Sequence, residues 1–541
     1  MLKIIPLSSL IKVFSDEEPT VQPFTKLSCL SNERVQLQVA FCNDSDCEVN
    51  VKVDCKFKDC INVYYVEEIY SKNPVHALQD NYTLRKKSGY FPELLRPLEG
   101  CFNAKANKWN SIWLEVVPNP TLVAGEQKIN VALTCGEDVH TIDFTLDVID
   151  AQLPAQTLIN TNWFHTDCIA THYNVEVFSD KYWEYVKNFL KVAVDHGMNM
   201  VLTPLFTPPL DTKVGGERPT VQLVGVKVTS GEYKFDFTNL DKWIAICDEV
   251  GIKYLELSHF FTQWGAKKCP KIIAEVDGVQ KRIFGWDTKA SGKAYRSFLT
   301  AFAEVFKPYL KEKGLEDKVY FHVSDEPFAA IARHYRKASN IVNELFGEYK
   351  IMDALSNYKF YKKGLVKLPV PANDHIEPFI GNVSDLWTYY CCVQVKGVSN
   401  KFFSMPSQRN RVLGYQMYKF NVKGFLHWGY NFWYKQFSTG PVDPFTETDA
   451  GGSFPSGDSF VVYPGDNGAP LISLRLKVFY DAFQDMRALQ LLESLIGKEK
   501  TMQILEDGIE PITFAQYPHC DDWQLATREK INAAIKQAIA E

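Results

Sequence analysis

The chain of 541 residues contains no apolar run long enough to span a bilayer, which takes about 18 residues. A helical membrane anchor is therefore not expected. Its N-terminus, "MLKIIPLSSLIKVFSDEEPT", carries one Lys before an apolar stretch that Pro6 interrupts, without a small-residue cleavage site. No signal peptide is expected, and the chain reads as cytoplasmic. Runs of Lys or Arg are missing too, and 59 basic against 65 acidic residues leave a net charge of -6, so nucleic acid is not an expected partner. The 13 cysteines include no CxxC pair. Cys42 and Cys47, like Cys55 and Cys60, share a four-residue gap that would suit a metal clip, but no His-rich partner accompanies them. Reduced thiols and no metal are the expectation. Finally, no Gly-rich phosphate fingerprint follows any strand pattern, so no nucleotide or other cofactor is expected.

What is present is a globular composition, 46% hydrophobic and 23% charged, on a chain long enough for roughly two or three domains. Residues 1 to about 150 alternate polar and apolar with period two in "RVQLQVAF" (34–41), "VNVKVDC" (49–55), "KINVALT" (128–134) and "TIDFTLDVI" (141–149). Turn residues separate these segments, which predicts an antiparallel β-sandwich over 1–152. "DAQLPAQ" (150–156) reads as the linker out of it.

Beyond the linker, strands alternate with helices. "LINTNWFH" (158–165), "MNMVLTPLF" (198–206), "IKYLELSHF" (252–260) and "KVYFHVSDEP" (318–327) give the first four strands. "YKIMDAL", "LVKLPVP", "DLWTYYCC" and "GFLHWGYNFW" give the other four. Ser179 is placed to cap the first long helix and Gly197 to stop it, while Pro308 is expected to kink or end another. Eight strand–helix units predict a (β/α)8 TIM-type barrel over 153–495, closed by the helix within "ISLRLKVFYDAFQDMRALQLLESLIG". A doubly wound sheet is the alternative. Residues 496–541 are expected to form a C-terminal helical extension packed on the barrel, so the fold class is multidomain β plus α/β.

In such a barrel function sits where strands end. Those ends hold His165, His259, the adjacent Asp325 and Glu326, Trp387, Tyr389 and Tyr390, and Trp428 and Asn431, with Asp458 in the following "SGDSF". The set of 11 Trp, 26 Tyr and 36 Phe must largely be core, yet Trp and Tyr at a barrel mouth also stack on flat apolar faces such as those of sugars. Aromatics around a carboxylate pair suit glycoside hydrolysis, which needs a proton donor and a stabilised oxocarbenium-like transition state. The plain alternatives are core packing for the rings, satisfied structural histidines, a turn at Asp458, and a helix N-terminal acid pair followed by Pro327. Adjacent carboxylates are too close to stand on opposite faces of a sugar ring. Their spacing favours a substrate that supplies its own nucleophile.

The blocks "SDEP" (324–327), "LWTYYCC" (386–392), "GFLHWGYNFW" (424–433) and "GDSFVVYPG…ISLRLKVFYDAFQDMRALQLL" (457–492) resemble glycoside hydrolase family 123. The likeness extends through the sandwich-then-barrel order. It implies a retaining exo-β-N-acetylhexosaminidase, most closely a β-N-acetylgalactosaminidase, without cofactor. Asp325 would then orient the 2-acetamido group and Glu326 would act as acid and base. Substrate contacts would come from Trp387, Tyr389, Tyr390, Trp428, Asn431, His165, His259 and Asp458. Two rivals stay open: a glycosidase of sugars lacking the acetamido group, with Glu256 as separate nucleophile, and a catalytically silent glycan-binding protein. The partner is a glycan or amino-sugar compound in each case, and a homo-oligomer remains an option.

Overall fold

The computed structural model describes residues 2–541. Its N-terminal part consists of a seven-stranded and a five-stranded sheet whose apolar faces share one core, with Leu37, Val39, Phe41 and Leu114 meeting Val131, Leu133, Phe144 and Leu146. All pairings are antiparallel except that of Lys26–Leu30 with Asp138–Ile149, which is parallel. Cys47 forms a disulfide with Cys135 on the neighbouring strand, so this pair departs from the reduced-thiol expectation.

The period-two alternation gives the usual half-solvated pattern in the five-stranded sheet but a different outcome in the seven-stranded one. Strand Val35–Cys42 is buried on both faces save for its last residue. Its polar positions are bonded within the N-terminal half, where Gln36 accepts from Trp113 Nε1 at 2.7 Å and Gln38 donates to Ser8 O and Ile11 O, and Trp113 packs with Leu474 and Val478 at the interface with the second half. The same interface buries two ion pairs from the helix Leu474–Ile496: Lys477 with Glu115 at 2.7 Å, and Arg475 with Glu93 at 2.6 Å. Residues that look solvent-facing in sequence are thus interdomain contacts.

The second half is built on eight parallel strands. In chain order these are β1 (Ile159–Asn162), β2 (Met200–Thr203), β3 (Tyr254–Leu257), β4 (Val319–Phe321), β5 (Lys350–Ala354), β6 (Leu368–Val370), β7 (Trp387–Tyr389) and β8 (Gly424–His427). They pair in the order β6-β5-β4-β3-β2-β1-β8-β7, and a parallel bridge between Ala372 and Tyr389 brings the two edges together, leaving a nearly closed barrel. Every strand matches one of the predicted segments. Helices follow most of them, but the β6–β7 connection holds only the 3-10 turn Glu377–Phe379, which contains Pro378. Helix Lys293–Glu312 continues past Pro308 rather than ending there.

Local signals behave as their chemistry requires. Ser179 accepts from Tyr182 N at the start of helix Asp180–Asp195, and Gly197 takes φ +83 just past its end, where a Cβ would strike the Phe483 ring. Ser179→Ala is expected to cost about 1 kcal/mol of stability, read as a small fall in the urea midpoint with an unchanged slope.

Two features escape the sequence reading. A four-stranded sheet, Gly225–Thr229, Glu232–Asp236, Ile272–Val276 and Val279–Phe284, is inserted in the loops after β2 and β3. The hairpin Val462–Pro464 and Pro470–Ser473 supplies two of the seven strands of the larger N-terminal sheet, joining it through Ile472 and Leu95. The C-terminal helix Asp521–Ala540 also bridges both halves, since Arg528 pairs with Glu33 at 2.6 Å and with Asp485 at 3.0 Å. No helix of the described residues is long and apolar enough to cross a membrane.

Candidate active site

The chain leaves β4 through His322, Val323 and Ser324 and turns sharply at Asp325 and Glu326. The backbone N–H groups of Val323 and Ser324 donate to Asp353 Oδ1 on β5, and Ser324 Oγ donates to Thr262 O in the loop after β3. Glu326 has φ +42 and donates its N–H to Ala354 O at 3.1 Å. The turn is held from both neighbouring strands, so a left-handed non-glycine residue persists there. The next helical residues begin only at Ala329, which removes the helix-capping explanation for the acid pair.

Asp325 and Glu326 line a cavity of about 220 Å³ at this end of the barrel, together with Trp163, His165, Asp211, Trp264, Tyr389 and Trp428. Tyr389 Oη donates to Glu326 Oε1 at 2.6 Å. Burial, and then the charge of Glu326, push the Asp325 carboxyl well above its usual range, while the charge of His322 pulls it down. Burial likewise raises Glu326, opposed by the Tyr389 hydroxyl. Two such neighbours hold one proton more readily than none. A positive charge behind Asp325 opposes the rise there.

That positive charge is His322, fully buried between two carboxylates: Nε2 lies 2.7 Å from Glu256 Oε1 and Nδ1 3.2 Å from Asp353 Oδ1. Burial alone would lower its pKa, but the bonds to Asp353 and Glu256 push it up to about 9. Glu256 also accepts from Thr161 Oγ1 at 2.5 Å and from Trp163 Nε1 at 2.7 Å, and Asp353 accepts from the Tyr335 hydroxyl. Glu256 is fully buried and does not line the cavity, which leaves it no path to an anomeric carbon. His259 stacks on His322 with ring centroids 4.1 Å apart.

Of the ten residues singled out from sequence, five line the cavity: Asp325, Glu326, His165, Tyr389 and Trp428. The other five stand behind its wall. Trp387 fills the barrel interior against Tyr320 and against Gly424, where a Cβ would lie 2.1 Å from the indole. Tyr390, on the opposite face of β7, packs on Phe425, His427 and Phe479. Asn431 brackets the His165 backbone, accepting from its N–H and donating to its carbonyl. His259 lies under Trp163 with neither ring nitrogen partnered. Asp458 accepts from Trp428 Nε1 at 3.0 Å, so it positions that indole instead of facing the cavity. The period-two pattern separates Trp387 and Tyr389 from Tyr390 but cannot tell the lower layer of a barrel from its mouth.

His165 is neutral. Burial, then the charge of Arg218, lower it to about 3. Arg218 donates to its Nδ1 at 3.0 Å, which leaves Nε2–H to donate to Trp428 O at 2.9 Å, and Asp167 holds Arg218 in turn. Neither Arg218 nor Asp167 stands at a strand end, and no short motif announces them. Asp211 is the other carboxylate missed. It lies in the long loop after β2, and burial pushes it up to about 6.

His259, His322 and Asp353 bring potential ligand atoms within 4.8 Å of one another. His322 commits both nitrogens to carboxylates and carries a positive charge, so it has no lone pair for a cation.

The catalytic-domain model of glycoside hydrolase 123 matches residues 163–492. No curated protein matches the chain. A family 123 glycoside hydrolase from Clostridium perfringens, studied for glycolipid glycan hydrolysis, shares the fold with a TM-score of 0.77 at 15% identity, over 100% of this chain and 98% of that one. A β-glucuronidase from Parabacteroides merdae aligns at TM-score 0.32 and 11% identity, over 86% of this chain and 51% of its own. A family 20 exo-β-N-acetylglucosaminidase from Vibrio harveyi in complex with N-acetylglucosamine aligns at 0.30 and 8%, over 100% and 98%. These last two are too distant to carry an argument.

Proposed function

Since the chain belongs to glycoside hydrolase family 123 and is a glycoside hydrolase acting on glycans, we propose that it is a retaining exo-β-N-acetylhexosaminidase that releases terminal β-linked N-acetylgalactosamine. The observation that carries this reading is the adjacency of Asp325 and Glu326 in one cavity, with Glu256 sealed beneath it. A mechanism with a separate nucleophile needs two carboxyl groups roughly 5–5.5 Å apart on opposite faces of the sugar. Neighbours on one turn do not span a ring that way.

In the proposed reaction, Asp325 accepts from the acetamido N–H and orients the group. The carbonyl oxygen attacks the anomeric carbon as the glycosidic bond breaks, and Glu326 gives its proton to the departing oxygen. Water then attacks the oxazolinium from the face the leaving group vacated, Glu326 takes the proton, and the β configuration is kept. Tyr389 holds the Glu326 carboxyl by its hydrogen bond, and Trp428, fixed by Asp458, offers an aromatic wall to the sugar. Residues 1–152 act in this reading as a support for the barrel, with the catalytic part over 153–495 and the helical tail over 496–541.

The assay compares chromogenic β-N-acetylgalactosaminides and β-N-acetylglucosaminides with plain β-galactosides. Cleavage of the N-acetylated sugars, with the galactosamine form preferred, is expected, as is competitive inhibition by an acetamide-derived thiazoline. Cleavage of plain galactosides without thiazoline inhibition would sink neighbouring-group participation.

A further inference from the structure

A sugar seated on the Asp325–Glu326 turn plugs the cavity, so whatever it is attached to must leave through the mouth. Three loops build that mouth, one after each of β2, β3 and β8. Among the lining residues Trp264, from the second loop, is the exposed aromatic, with 38% of its surface open. Its backbone N–H donates to Asp325 O at 3.1 Å, and the edge of its ring contacts Phe437 at 5.6 Å between centroids. Asp211, from the first loop, accepts from Phe437 N through Oδ2 at 2.9 Å, and its carbonyl accepts from Ser438 Oγ at 2.7 Å. Its own N–H donates to Gln263 Oε1 at 2.5 Å, tying the first loop to the second.

The backbone here is strained at several points at once. Asp211 (φ +38), Trp264 (φ +53), Phe437 (φ +59) and Ser438 (φ +52) are all left-handed, none is glycine, and they cross-brace one rim. Each such residue costs on the order of 1 kcal/mol or more and persists only where surrounding contacts impose it. Trp264 is not a core residue, since its ring lines the cavity and a large share of its surface is open. A ring held rigid and exposed beside a reactive dyad suits stacking on a ligand.

We propose that Trp264 and Asp211, braced by Phe437, form a second subsite that binds the neutral hexopyranose ring on the leaving-group side of the scissile bond. This rests on the glycosidase reading above. The apolar C–H face of the ring stacks on Trp264, and Asp211 accepts from one of its hydroxyls. The anionic carboxylates at the mouth, Asp325 and, above about pH 6, Asp211, repel an acidic sugar there.

The test uses the full-length protein and two substrates sharing the same N-acetyl-β-galactosaminyl group. One carries galactose as leaving group, and the other is the glycosyl fluoride, whose leaving group has no ring. Trp264→Ala is expected to lower the disaccharide-to-fluoride ratio of kcat/KM about tenfold, with Trp264→Phe restoring most of it. Asp211→Asn should lower the same ratio. An unchanged ratio in Trp264→Ala overturns the subsite while leaving the glycosidase reading intact. So does Asp211→Asn if it abolishes both reactions, because Asp211 would then belong to bond breaking. Failure of the wild type to cleave the fluoride overturns instead the reading on which the subsite depends.

Discussion

Glu326→Gln is expected to lower kcat on unactivated N-acetyl-β-galactosaminides by about 10²–10⁴-fold, the usual worth of a positioned acid–base group. Gln has the same length and keeps an oxygen to accept from Tyr389, so the cavity and the 2.6 Å contact survive the change. What disappears is the proton. Substrates with strongly acidic leaving groups should suffer least in the first step, because their departing oxygen needs little protonation. Added azide should restore turnover on them, since it attacks the oxazolinium without deprotonation. The alkaline limb of the wild-type kcat/KM profile should also vanish, because burial raises Glu326 and its proton is what that limb reports. Wild-type kcat in the variant would show that another group moves the proton.

His322→Gln is expected to remove roughly 3 kcal/mol of stability near neutral pH, the equivalent of a pKa raised from 6.5 to about 9. Its sign is set by linkage. The folded state binds the imidazole proton more tightly than the unfolded one, so this stability is fully present below pH 6.5 and is lost as pH rises through about 9. Denaturant midpoints of the wild type should therefore decline across that window, and those of the variant should not. Two buried carboxylates, Glu256 and Asp353, would lose the cation between them in the variant, which is the costly way to break such a cluster. The functional readout is independent of folding. Without the charge that pulls Asp325 down, the acid limb of kcat/KM should move to higher pH. A variant with wild-type pH dependence in both measurements would separate His322 from the dyad.

The sequence alone determined the eight barrel strands and their order. Period-two segments, the capping Ser179, the left-handed Gly197 and eight apolar strands ending in polar or aromatic residues are local facts, and local geometry follows from them. The acid pair was legible for the same reason, since a strand that stops in "SDEP" announces a turn at a barrel end. Tertiary structure decided which face each side chain meets. Trp387 and Tyr389 share a face of β7, yet one lies under the cavity and the other in it, because depth along a barrel depends on the register of neighbouring strands. Glu256 has the spacing of a catalytic residue, but His322, Thr161 and Trp163 converge on it from other strands and close it off. Asp211, Trp264 and Phe437 come from loops more than 50 residues apart in sequence and meet only because the barrel gathers strand ends at one rim. Periodicity encodes a residue's side of its own element. What stands opposite depends on long-range closure, which no local pattern carries.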